Sequence, residues 1–196
     1  MDREYHKRPS IFDAAMAVFS EKGFEKATVD EIAERAGIAK GTIYYNYGSK
    51  KNLFLSLIEE GIERLETAVK KEIARRNNIL TQLEAVITVQ LQFFEEYKNY
   101  CKVLLSEVWG QDTRWKEKAE RIRSGYLSII RDLIEAGKSQ GLIKMSLHTG
   151  TTASALFGMV GIAALDRFLF EKEYSYEDIL NTLKSFFFTG IEAKIT

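Results

Sequence analysis

The chain is short of the residues that break helices or staple chains. It has one proline, at position 9, among 196 residues. A proline inside a helix removes a hydrogen bond and clashes with the preceding turn, so its near absence favours long helices. The one cysteine, Cys101, excludes an intrachain disulfide. With only His6 and His148 beside it, a soft-ligand zinc site is not expected. Net charge is also missing: Lys plus Arg and Asp plus Glu stand at 28 each. That removes the broad basic excess common in nucleic-acid binders and leaves only local basic surface to do such work. The apolar run from Leu147 to Leu165 opens with His148 and several hydroxyl residues. It falls short of the ~20 residues that span a bilayer. The first ten residues, MDREYHKRPS, lack an apolar signal region. Together these absences point to a reduced, cytoplasmic protein with no membrane span and no cofactor. No HExxH, GxSxG or glycine-rich phosphate loop supports catalysis. Cys101 reads as buried filler beside Val103 and Leu104, and Glu95, Glu96 and Glu107 read as solvated helix faces.

What is present is a 45% hydrophobic, globular composition and one informative stretch, Thr28 to Leu53. Thr28 is placed to cap a helix, and Glu31, three residues on, can return a bond to complete a capping box. Val29, Ile32, Ala33 and Ala36 follow at helical spacing. Gly37 supplies a left-handed stop, and Ile38 is placed to plug the corner. A second helix over 39–47 turns Ile43 and Tyr47 inward. Lys40, Thr42, Tyr44, Tyr45 and Asn46 are left on its sides and outer surface. Lys40 opposes the helix dipole, which a nearby phosphate would offset. Gly41 lets a DNA backbone come close. Thr42 and Tyr45 can reach base edges, while Tyr44 and Asn46 suit phosphate contacts. Ser49 caps the next helix, and Lys50 offers a further phosphate contact. Residue by residue, the plain alternative is core packing plus solvated surface.

The segment FEKATVDEIAERAGIAKGTIYYNYGSKKNLF resembles the DNA-binding segment of TetR-type transcriptional regulators, from about Ile11 to Leu57. The resemblance implies that Lys40, Thr42, Tyr44, Tyr45 and Lys50 meet DNA; with Thr28, Gly41 and Asn46 they make up the expected DNA-binding surface. The chain departs from the family pattern in three places. Asn46 replaces the usual histidine, Ala39 a frequent capping serine, and Asn52 a common glutamate.

Along the chain, Pro9 fits the first turn of a helix that buries Ile11, Ala14, Ala15, Val18 and Phe19 and ends at Gly23. Arg3, Lys7 and Arg8 form a basic arm, read as a solvated tail or as a flexible DNA contact. Leu53, Phe54, Leu57, Ile58, Ile62, Leu65, Val69 and Ile73 keep helical phase, giving a linking helix over 49–74. Further helices are expected over 80–97, 100–109, 115–140, 151–170 and 176–193. The fold class is therefore all-α. A three-helix head (1–48) is joined by the long helix to a helical effector-binding and dimerisation domain (75–196).

Aromatic residues crowd the second part. Ordinary core packing is one reading. The other, which the resemblance implies, is a pocket for a small apolar or aromatic effector, with Phe93, Phe94, Tyr97, Trp109, Tyr126 and Phe157 as candidates. The last two helices carry more apolar surface than one stripe needs, as in ALFGMVGIAAL and in Phe186, Phe187 and Phe188. That suggests a homodimer in which four helices meet. The expected function is a ligand-responsive repressor that binds double-stranded DNA at a pseudo-palindromic operator. The alternative is a helical protein-interaction module without DNA binding.

Overall fold

The computed structural model describes residues 10–108, 116–170 and 174–192. Nine α-helices are found among them. The head holds α1 (Ile11–Lys26), α2 (Val29–Ala36) and α3 (Lys40–Tyr47), and α4 (Lys50–Ile73) leads away from it. The body holds α5 (Ile79–Glu96), α6 (Lys98–Val103), α7 (Lys116–Ser139), α8 (Thr149–Phe170) and α9 (Tyr176–Ile191).

Local chemistry sets most helix ends. Ser10 caps α1 by accepting from the Asp13 N–H. The helix therefore starts one residue beyond the cap, and Pro9, expected in its first turn, lies outside the described residues. Gly23 breaks α1 with φ 73°, a region that favours a residue without Cβ, and one further turn follows to Lys26. Ser49 caps α4 through the Asn52 N–H, Asn78 caps α5 through the Leu80 N–H, and Ser175 caps α9 in a capping box with Asp178. The sixth helix departs from expectation. It starts at Lys98, directly after the non-helical Tyr97, and widens into a π-type turn over Leu104–Val108. Trp109, expected at its end, lies outside the described residues, as do Trp115 and the arm residues Arg3, Lys7 and Arg8.

One buried cluster runs from head to body, and α4 is its spine. Phe54 meets Phe19 and Phe24 of α1 edge to face, and Leu53, Leu57 and Ile58 are buried in the same cluster. Further along, Leu65 and Val69 join the body core. The junction is sealed by Tyr100 of α6. Its ring stacks on Phe12 of α1 at 5.7 Å, and its hydroxyl donates to the Ile58 carbonyl at 2.8 Å. The ring also lies flat against Gly61 of α4, where an added Cβ would come within 2.2 Å of it. The Ser20 hydroxyl meets the Asn99 side chain at 3.0 Å, a second tie between α1 and α6.

Two tests follow from these contacts. Gly61→Ala forces the Tyr100 ring off Ile58 and should lower stability by ~1–3 kcal/mol, the usual range for overpacking. Thermal melts by circular dichroism measure this, and an unshifted melt would mean that α6 does not seat on α4. The second test concerns acid. The Glu31 carboxyl is held at about 2 against an ordinary 4.5, first by the Lys22 ammonium and then by the Thr28 backbone N–H and hydroxyl. A depressed carboxylate stabilises the fold above its unfolded pKa, and that stability is lost as pH falls through the folded value. The capping box should therefore weaken as pH drops from about 4.5 to about 2. Glu31→Gln should flatten that part of the melting-temperature curve, and an unchanged slope there would rule Glu31 out as its source.

Candidate nucleic-acid interface

The turn between α2 and α3 aims the candidate surface. Thr28 caps α2 by accepting from the Glu31 N–H at 3.3 Å, and Glu31 accepts from the Thr28 N–H at 3.0 Å. At the other end Gly37 adopts φ 67° and donates to the Glu34 carbonyl, while Ile38 donates to the Ala33 carbonyl. These paired bonds close a Schellman motif with an apolar residue just past it. Ile38 is half-buried against the head core. The turn thus delivers the chain into α3 in one direction, with Ala39 as a cap that makes no side-chain bond.

Ile43 is the buried anchor of α3, and Tyr47 is half-buried, its hydroxyl pKa raised by burial. The other side is open. Tyr45 is 90% exposed and Tyr44 43%, and Thr42, Gly41 and Asn46 are exposed as well. At that exposure the Tyr45 ring adds almost nothing to the core of the chain. Gly41 makes the same point. A Cβ there would meet nothing within 4 Å, yet a helical glycine costs about 1 kcal/mol relative to alanine. No internal neighbour requires that glycine.

The polar side chains are not all equally placed. Lys40 pairs with Asp30 of α2 at 2.7 Å and stands 5.8 Å above the Tyr44 ring centroid. The Asn46 amide donates to the Thr42 carbonyl, folding back along its own helix. Lys50 turns inward. Its ammonium donates to the carbonyls of Phe24, Glu25 and Ala27 at 2.8–3.0 Å and lies 4.6 Å over the Phe24 ring. It thereby ties the end of α1 to the start of α4. All three of its protons are engaged in this conformation, so it supports the head rather than facing a duplex. The sequence has no local signal for this contact, because its partners are carbonyls more than twenty residues away.

The five described members of the expected effector set form a series of touching rings. Phe12 meets Tyr97 (6.1 Å), Tyr97 meets Phe93 (4.7 Å), and Phe93 meets Phe94 (6.1 Å). Phe94 meets Phe157 (6.1 Å), and Phe157 meets Tyr126 (5.6 Å). Phe93 and Tyr97 thus face the head junction, while Phe94, Phe157 and Tyr126 lie deeper, where α5, α7 and α8 pack. Gln90 completes this interior. Its carbonyl accepts from the Tyr126 hydroxyl at 2.9 Å, and its amide donates to the Phe157 carbonyl at 2.9 Å. Gln90 was legible as a polar residue in phase with Val86 and Phe94, yet the sequence reading passed over it.

Comparison with known proteins agrees with this geometry. The family model for bacterial regulatory proteins of the tetR family matches residues 11–57. A second, for the C-terminal region of YsiA-like proteins, matches residues 58–188. The chain is 26% identical over 191 residues to the fatty acid metabolism regulator protein of Bacillus subtilis (strain 168). That match covers 96% of this chain and 98% of that protein. The transcriptional regulator FadR from Bacillus subtilis in complex with stearoyl-CoA is similar in structure, with a TM-score of 0.83 and 25% identity. It covers 93% of this chain and 98% of its own. The fatty acid degradation regulator FadR from Bacillus halodurans shares the fold at a TM-score of 0.83 and 23% identity, over 92% and 97% of the two chains. The outward-facing α3 and a match that runs from the head into the body thus agree: the chain belongs to the tetR family of bacterial regulatory proteins and is a DNA-binding transcriptional regulator.

Proposed function

We propose that the protein is a homodimeric repressor whose hold on its operator is released by a long-chain fatty acyl-CoA. The observation that carries the choice of effector is the character of the body interior. Among the described residues the buried polar groups of the body are Gln90 and the hydroxyls of Tyr100 and Tyr126, and both hydroxyls are already bonded, to the Ile58 carbonyl and to Gln90. Gln90 is already satisfied by Tyr126 and the Phe157 carbonyl. A polar effector would need unpartnered donors or charges there, because burying unpaired polar groups is costly. Rings and aliphatic groups instead suit an alkyl tail. The likeness to a regulator solved with stearoyl-CoA supports the same class. Catalysis has no support: Cys101 is fully buried, and burial pushes its thiol up to about 12, so it is no nucleophile.

Pairing through α8 and α9 supplies the second head. A groove of about 610 Å³ lies between them, lined by Leu147, Ala155, Met159, Phe186 and Ile191. Phe186 is 75% exposed and Ile162 59%. Gly158 and Gly190 have open space where a Cβ would be, so another backbone can come close. A two-fold dimer repeats this face upon itself and sets two α3 helices on successive major grooves, ~34 Å apart. Thr42 and Tyr45 then read base edges, Lys40, Tyr44 and Asn46 meet phosphates, and Gly41 admits the backbone. Thr28 supports the same surface from the start of α2. The acyl-CoA acts only through its differential affinity for the two head spacings.

Two measurements check this. Thr42→Ala with Tyr45→Ala should erase preference for the operator over random duplex in gel shifts, leaving salt-sensitive residual binding. Retained preference would remove the reading surface assigned here. Stearoyl-CoA, but not coenzyme A, should release the operator in fluorescence anisotropy. Indifference to acyl-CoA at every chain length would exclude this effector class while leaving DNA binding intact.

A further inference from the structure

Between Ile11 and Leu57 the chain carries six lysines and arginines against six aspartates and glutamates. This stretch, the head with the start of α4, thus approaches DNA with no net charge of its own, and the placement of its ion pairs becomes decisive. Lys22–Glu31 and Arg35–Glu21 tie α1 to α2. Lys50 is engaged by carbonyls. The pair between Lys40 and Asp30 differs in kind. At 2.7 Å it crosses the helix-turn-helix and occupies a cation of the recognition helix itself. Its side chains are 49% and 66% exposed, so an incoming phosphate can reach both.

Asp30 is not needed to finish α2. Thr28 and Glu31 already complete the capping box, and Glu31 already places a carboxylate in the first turn, where the helix dipole favours one. Asp30 adds a second negative charge on the side that faces phosphates. A carboxylate there does two things to an incoming duplex. It repels the phosphate, and it competes for the ammonium that the phosphate would take.

We propose that Asp30 holds Lys40 in reserve, so that DNA binding requires a phosphate to displace the Asp30 carboxylate from the Lys40 ammonium. This rests on the reading of α3 as the DNA-facing helix. The exchange replaces one ion pair by another and leaves Asp30 close to the phosphate, where it gathers a cation from solution. One fewer cation is then released on binding than the phosphate contacts alone would give, and the salt dependence is correspondingly shallow. Exposed ion pairs are weak, so the device tunes affinity rather than switching it. Loose complexes lacking a phosphate at the right point gain nothing from Lys40 and are repelled by Asp30.

A merely structural role predicts the opposite sign. If Asp30 only braces the elbow by offsetting Lys40 at a helix start, its loss loosens α3 and weakens binding. The test is fluorescence anisotropy with a 30-base-pair duplex of random sequence, using the full chain, over a range of salt. Asp30→Asn should bind about two- to fivefold more tightly at ~0.1 M salt. Its slope of log affinity against log salt should steepen by up to ~1. In a Lys40→Ala background most of that gain should vanish, because no ammonium remains to be freed. Unchanged or weakened binding by Asp30→Asn would overturn the proposal. So would an equal gain with and without Lys40, which would mark a long-range charge effect. Failure of the unaltered protein to bind any duplex at low salt would instead remove the DNA-facing reading on which it rests.

Discussion

One contact, the Tyr100 ring lying on Gly61, governs where the rest of the head can be. Helix α6 reaches α4 only because residue 61 has no Cβ, and the Tyr100 hydroxyl then fastens to the Ile58 carbonyl. Phe12 stacks on the other side of the same ring, which sets the position of α1. Helix α1 holds α2 through the buried cluster that Ile32 and Ala33 share with it, with Lys22–Glu31 and Arg35–Glu21 at the surface, and the Gly37 turn hands that orientation to α3. The direction in which Tyr45 points is thus traceable to a glycine sixteen residues further along the chain. Interiors are packed too densely to absorb a shift at such a point gradually.

The same junction is where body and head share side chains. Arg64 of α4 lies 4.4 Å over Phe12 and 5.9 Å from Tyr97, so a cation and two rings, one of them on the non-helical Tyr97, meet at one place. From there ring contacts run without a gap to Tyr126 and, through its hydroxyl, to Gln90. Spatial adjacency of this kind is a route and not by itself a coupling. It does mean that a molecule entering among Phe94, Phe157 and Tyr126 disturbs residues in van der Waals sequence with α1. The π-type turn over Leu104–Val108 leaves α6 from the same region, and such widened turns mark places where a helix departs from its regular ladder.

Charge works at shorter range. With a neutral head, DNA recognition cannot lean on a broad field and must come from shape, exposed rings and a few well-placed cations. The exposed surface of α3 is correspondingly rich in tyrosine, threonine and asparagine and poor in charge.

Much of this was legible in the residue order, wherever the cause is local. The Thr28–Glu31 capping box, the Gly37 stop, the Ser49 cap and the phase of α4 each depend on groups within four residues of one another. They appear in the structure within a residue or so of where the pattern puts them. The outward set on α3 follows from 3.6-residue periodicity once Ile43 is taken as the anchor. Contacts across the fold left no such trace. Lys50 looked free because carbonyls of any residue type can hold it. Asp30 and Lys40 are ten residues apart on different helices, and only the angle of the turn brings them to 2.7 Å. The aromatic residues were recognised as a group, but their order in space, and the use of Tyr100 as the seal at Gly61, depend on how helices cross. Sequence by itself therefore determined most of the helices, most of their ends and the exposed face of α3, because short-range hydrogen bonds and periodic burial decide those. Tertiary packing alone decided which charges are already engaged and which ring seats the head on the body, because those partners are chosen by distance through space.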